Sequence, residues 1–158
     1  GQLAGAAIAS ARQVAVLQED GFEGVRRFLP PPSRRALLLC DPSYELKSDY
    51  ARVPDMLQDA LKRFATGTYA VWYPIIPRSE AHDLPRRLKS VASKAGKNWL
   101  HASLTVKSGG GERPGLAASG MCVINPPHTL HAALREALPC MVDLMGQDRN
   151  ATHTLEAG

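Results

Sequence analysis

The stretch Ala36-Leu37-Leu38-Leu39-Cys40-Asp41-Pro42-Ser43-Tyr44 decides how the rest of this chain is read. Five apolar residues follow one another without alternation, the pattern of a parallel strand buried on both faces. The run stops at Asp41-Pro42, where proline removes a backbone donor and stiffens the loop so that its carbonyls keep one direction. Open α/β sheets place their ligands at the carboxyl ends of such strands. The tetrapeptide Asp41-Pro42-Ser43-Tyr44 is therefore either a plain strand-to-loop turn, which Asp, Pro and Ser all favour, or the lip of a site.

Upstream, residues 3–11 predict the tail of a helix, and Val14-Ala15-Val16-Leu17 predicts a short strand ended by the turn Asp20-Gly21. Phe22, Val25, Arg26 and Leu29 recur with helical spacing until Pro30-Pro31-Pro32 stops them. Downstream, Leu57, Ala60, Leu61 and Phe64 mark an amphipathic helix, with Pro54 expected in its first turn. Strands follow at residues 69–76, 99–106 and 121–124, and a last short one at 152–155. Leu84, Leu88, Val91 and Ala92 mark a helix ended at Gly96, and Leu130 to Met145 carry another, with Pro139 placed to kink it. Gly109-Gly110-Gly111 and Pro114-Gly115 form a loop between two strands, which suggests an antiparallel pair at one edge. The alternation of strands and helices implies an α/β fold: a parallel sheet with helices on both faces.

The 158 residues fit one domain. With 44% hydrophobic and 22% charged residues the composition is that of a soluble globular protein. No run approaches the roughly eighteen apolar residues of a membrane span. Cys40, Cys122 and Cys140 are odd in number and show no metal spacing, which favours reduced thiols in a cytoplasmic protein. His128 and His131 stand three apart without a third ligand, so no metal site is expected. A net charge of +4 tilts mildly toward a polyanionic partner.

The motif at residues 41–44 resembles that of amino-methyltransferases with an Asp/Asn-Pro-Pro-Tyr signature, here with Ser43 in the third place. Asp20-Gly21-Phe22, Leu29-Pro30-Pro31-Pro32, Arg34-Arg35 and Asp41-Pro42-Ser43-Tyr44-Glu45-Leu46-Lys47 together resemble the RlmJ family of bacterial 23S rRNA adenine-N6 methyltransferases. Lys62-Arg63-Phe64-Ala65-Thr66-Gly67-Thr68-Tyr69-Ala70, Trp72-Tyr73-Pro74, Ala118-Ser119-Gly120-Met121 and Val123-Ile124-Asn125-Pro126-Pro127 extend the likeness over nearly the whole chain. One departure is His128, where the family leads one to expect Trp.

The resemblance implies a Rossmann-like class I sheet that uses S-adenosyl-L-methionine to methylate the N6 of an adenine in 23S rRNA. An aryl amine is a poor nucleophile because its lone pair is delocalised into the ring. Asp41 and the carbonyl of Pro42 would accept its two N–H bonds and aim the lone pair at the methyl group. Tyr44 would offer a ring for the base to stack on, and Lys47 would meet the substrate backbone. Asp41 is thereby the expected catalytic acid at the amine, with Pro42 and Tyr44 beside it, and Asp20, Gly21 and Asp41 would contact the methyl donor. Without the family, Asp20 is simply a turn residue.

The resemblance also implies a first half with a glycine-rich donor loop, an acidic residue for the donor's ribose and an inserted helical subdomain. None of these occurs in the present sequence, since Gly109-Gly110-Gly111 does not open a helix. The chain, which begins Gly1-Gln2-Leu3, is accordingly expected to be the C-terminal portion of one methyltransferase domain, its N-terminal strands missing. Those strands would lie between the 14–17 and 36–40 runs, and alone the chain is expected to bind donor weakly or not at all. Two other readings stay open: the same reaction on DNA, and a non-catalytic nucleic-acid-binding remnant of the fold.

Overall fold

The computed structural model describes residues 14–108 and 115–158, so the expected helix at 3–11 and most of the glycine loop lie outside the described residues. Nine elements follow in order: α1 (Gly21–Phe28), β1 (Leu37–Cys40), α2 (Asp49–Arg63), β2 (Thr68–Ile75), α3 (Ser79–Lys94), β3 (Trp99–Thr105), β4 (Ala118–Ile124), α4 (Leu130–Met145) and β5 (Thr152–Ala157). The strands form one sheet in the order β1-β2-β4-β3-β5. The fold is α/β, as expected.

Its topology corrects two expectations. Only β1 and β2 pair in parallel; β4 enters antiparallel between β2 and β3, and β5 closes the sheet antiparallel to β3. The pair joined by the glycine loop is therefore interior, because β5 supplies the edge. Nothing in the periodicity of β4 distinguishes pairing with β3 alone from pairing on both sides.

Val14–Leu17 does not form a strand. Its β-favouring side chains stay exposed (Val16 at 72%) because none of the described strands offers its backbone a partner. For the same reason β1 is not buried on both faces. Leu38 and Cys40 pack toward the core, whereas Leu37 and Leu39 are 67% and 64% exposed on a face that none of the described elements covers.

The main core lies between the sheet and the α2–α3 layer. Val53, Leu57, Ala60 and Leu61 of α2 and Leu84, Leu88 and Ala92 of α3 meet Tyr69, Val71 and Tyr73 of β2 and Cys122 and Ile124 of β4. The opposite pleat face buries Ala70, Leu100, Ala102 and Val123, while α4, whose one buried residue is Leu138, packs against β3 and β5. Cys122 is buried, Cys40 half-buried and Cys140 exposed, and all three are free thiols.

Pro54 sits in the second turn of α2, one turn later than expected, because the helix already begins at Asp49. There its missing N–H leaves the carbonyl of Tyr50 without its usual helical donor. Arg87 of α3 fills the gap, donating from Nη1 to that oxygen at 2.9 Å, so the proline is tolerated through an interhelical bond. Asn125 performs a similar service at the sheet's other end. It adopts φ 53°, a conformation costly for most residues, while its Nδ2 donates to the carbonyls of Ala65 and Gly67.

His101 is the one buried imidazole of the described core. Its Nε2 shares a 2.7 Å hydrogen bond with the Tyr73 hydroxyl, and its Nδ1 faces Glu156 at 3.6 Å, with Lys89 paired to the same carboxylate. Burial, aided by Lys89, lowers the imidazole pKa, with Glu156 pulling the other way. A histidine kept neutral by folding contributes stability above its unfolded pKa of about 6.5, and that contribution is lost as pH falls from there through the folded value. The expected result is a urea midpoint that drops between pH 7.5 and 5.0 more in the wild type than in His101→Gln. Parallel curves for the two proteins would show that the imidazole does not carry this pH dependence.

Candidate methyl-transfer site

β1 ends at Cys40, and the chain leaves the sheet through Asp41-Pro42-Ser43 before it enters α2 at Asp49. Tyr44 in this loop has φ 56°, a left-handed conformation that costs an ordinary residue about 1–3 kcal/mol. Three interactions offset it. The Tyr44 hydroxyl donates to the carbonyl of Trp72 at 2.8 Å, its ring lies 4.8 Å from that of Tyr50, and Arg78 Nη1 donates to the Tyr44 carbonyl at 3.0 Å. Trp72 is one residue beyond the last β1–β2 pair, so the phenol replaces a sheet partner that β1 no longer provides. Burial pushes the phenol pKa far up, and the group stays neutral.

This arrangement departs from the expectation that Tyr44 presents a ring to a base. The side chain is 2% exposed, because the left-handed turn folds it under the loop. Asp41 and Ser43 consequently stay on the outside, and Asp41 makes no hydrogen bond or ion pair with the described residues.

A cavity of about 470 Å³ opens beside this loop. Asp20, Gly21, Asp41 and Pro42, four of the residues singled out in the sequence, line it together although twenty residues separate the two pairs. Its apolar wall is Phe22, Val25, Leu38, Leu39, Leu46 and Met56, and Cys40, Ser43, Asp49 and Arg52 complete it. Tyr44 and Lys47 are not part of the wall. Lys47 is 75% exposed and pairs with Glu80 at 3.0 Å, a surface contact that an incoming phosphate can displace.

Asp20 caps α1. One carboxylate oxygen accepts from the Phe22 N–H at 2.9 Å and the other from Arg52 at 2.6 Å, and these bonds, Arg52 foremost, hold its pKa below the usual range. The Arg52 guanidinium also covers the Phe22 ring at 4.1 Å and so ties the start of α1 to α2. A Cβ at Gly21 would meet nothing within 4 Å, so the bare backbone at this helix start faces open space. Burial, with Asp41 and Asp49 nearby, pushes the Cys40 thiol up to about 11, which leaves it protonated and poorly nucleophilic.

Sequence reading missed Arg52, Asp49 and Arg78. The first two sit on α2, and only the helix start at Asp49, which Pro54 masked, could have signalled them. Arg78 is distant in sequence from the loop it holds.

The family model described as "Ribosomal RNA large subunit methyltransferase D, RlmJ" matches residues 1–156. The chain belongs to the RlmJ family. Ribosomal RNA large subunit methyltransferase J of Haemophilus influenzae is 39% identical over 145 residues, 92% of this chain and 50% of that protein. Its namesake from Escherichia coli is 40% identical over 124 residues, 78% of this chain and 43% of that protein. A crystal structure of a Legionella pneumophila protein superposes with a TM-score of 0.77 at 28% identity, covering 89% of this chain and 50% of the other. The chain thus spans about half the length of the RlmJ relatives it matches. Among the described residues no helix is long and apolar enough to cross a membrane, and no group of three metal-ligating side chains occurs.

Proposed function

We propose that the full-length protein to which this chain corresponds transfers a methyl group from S-adenosyl-L-methionine to the N6 of an adenine in 23S rRNA. The observation that carries the reading is the convergence of Asp20-Gly21 and Asp41-Pro42 on one cavity at the carboxyl end of β1. The lining suits such a donor: apolar side chains for its carbon skeleton, carboxylates for its cationic groups, and bare backbone at Gly21 for close approach. The volume falls within the roughly 300–1,000 Å³ usual for small-molecule sites.

The donor, when bound, supplies an electrophilic methyl group on a sulfonium. The chain's own residues supply placement. Asp41, exposed and without a partner among the described residues, accepts one N–H of the target amine, and the carbonyl of Pro42 accepts the other. Holding both N–H bonds draws the nitrogen toward a pyramidal geometry and localises its lone pair on the side that faces the cavity. Hydrogen bonds to charged groups are worth about 1.5–3 kcal/mol each, and orienting two reactants contributes up to about 7–11 kcal/mol. Once the C–N bond forms, the amine's surplus proton passes to Asp41 or to water. Lys47, exposed just past the motif, meets a phosphate of the RNA, exchanging Glu80 for it.

The test is transfer of labelled methyl from S-adenosyl-L-methionine to protein-free 23S rRNA, using a version of the protein extended to the full length of its relatives. Label in N6-methyladenine of rRNA supports the reading. Label in DNA alone moves the activity to DNA, and a folded protein that labels neither is a non-catalytic remnant.

A further inference from the structure

Asp49 differs from the other acidic groups of the described residues. It is the first residue of α2, only 6% exposed, and lines the cavity, yet its carboxylate makes no hydrogen bond or ion pair with the described residues. The cation of the cavity wall, Arg52, is committed to Asp20 at 2.6 Å and to the Phe22 ring. The Asp49 oxygens are not among the sealed, unpartnered side-chain atoms of the described residues, so they open onto the cavity, and the N-terminus of a helix favours their negative charge. Asp41 adds a second unpaired carboxylate to the same wall. The cavity is therefore short of positive charge, and a cationic ligand would supply it.

We propose that Asp49 is the counter-anion of the donor's sulfonium and that it makes the cavity prefer the charged donor to the neutral thioether product. The proposal rests on the donor reading given above. In transfer the C–S bond breaks and its electron pair stays on sulfur, while the amine lone pair forms the new C–N bond. The positive charge then leaves with the amine's proton. A carboxylate placed for the sulfonium loses its partner at that moment, so discrimination between donor and product and the release of product follow from one residue.

The experiment is amide NMR titration of the protein extended to the full length of its relatives with S-adenosyl-L-methionine and, separately, S-adenosyl-L-homocysteine, which reads dissociation constants into the millimolar range. The wild type is expected to bind the sulfonium compound more tightly. Asp49→Asn is expected to weaken it about tenfold while moving the thioether less than about twofold, the scale of one charge-assisted contact. Asp49→Glu, which keeps the charge, is expected to retain the preference, and it decides the matter if the Asn variant fails to fold. Equal effects of Asp49→Asn on both ligands, or loss of the preference in Asp49→Glu, overturn the role of Asp49 and leave the donor reading standing. Failure of either ligand to shift cavity amides in the full-length wild type overturns the donor reading, and this inference with it.

Discussion

Asp41→Ala is expected to lower methyl transfer by the full-length protein about a hundredfold or more, with donor binding changed only a few-fold. Two contributions add to that figure: a charge-assisted hydrogen bond of about 1.5–3 kcal/mol, and the misplacement of the amine, for which an error of about 1 Å costs on the order of a hundredfold. Folding should be nearly untouched. Asp41 is exposed, makes no internal hydrogen bond among the described residues, and substitutions of that kind usually stay within about 0.5 kcal/mol. Asp41→Asn keeps an accepting oxygen but turns two donors toward an amine that is itself a donor, so it should fall between, near a tenfold loss. Single-turnover rates with urea midpoints for the three proteins check this. A rate unchanged in Asp41→Ala would remove Asp41 from the chemistry.

The contrast between Asp41 and its neighbours shows what the sequence carried. An unbroken apolar run that stops at Asp-Pro is a local signal, and it placed β1 and the loop correctly. Asp20-Gly21 was legible as a turn, and the family likeness brought it to the same site, where α1 and α2 now hold it. What stayed hidden depends on packing between distant elements. No period in the sequence says that Arg52 reaches back across thirty-two residues to Asp20, or that Arg78 anchors the Tyr44 carbonyl. Insertion of β4 between β2 and β3 is equally invisible, since its buried side chains read the same with one partner or two. Val14–Leu17 erred in the opposite direction. Its residues have the propensity for a strand, but propensity forms one only where another strand accepts the backbone. The exposed face at Leu37 and Leu39 has the same origin: β1 has the composition of a strand covered on both sides, and the described residues cover one.

Tyr44 sits otherwise than its motif alone suggests. Its ring is buried against Tyr50 and its hydroxyl is spent on Trp72, so the structure gives it the task of holding Asp41 and Pro42 in a strained turn. Tyr44→Phe keeps the ring and removes one hydrogen bond from a half-buried carbonyl, which should cost about 1–3 kcal/mol of stability. The loosened turn should also lower the transfer rate about tenfold, on the scale of one lost hydrogen bond, with KM for rRNA unchanged. Tyr44→Ala removes the ring as well. By analogy with other buried aromatics it should cost about 3–5 kcal/mol, and it should reduce transfer about as far as Asp41→Ala does. The two roles separate on KM. A platform for the base would tolerate Phe fully and lose substrate affinity in Ala, whereas a residue that shapes the loop loses rate in both variants. Unchanged stability in Tyr44→Phe, together with a raised KM for rRNA in Tyr44→Ala, would return the ring to the substrate and require the loop to open before the base can enter.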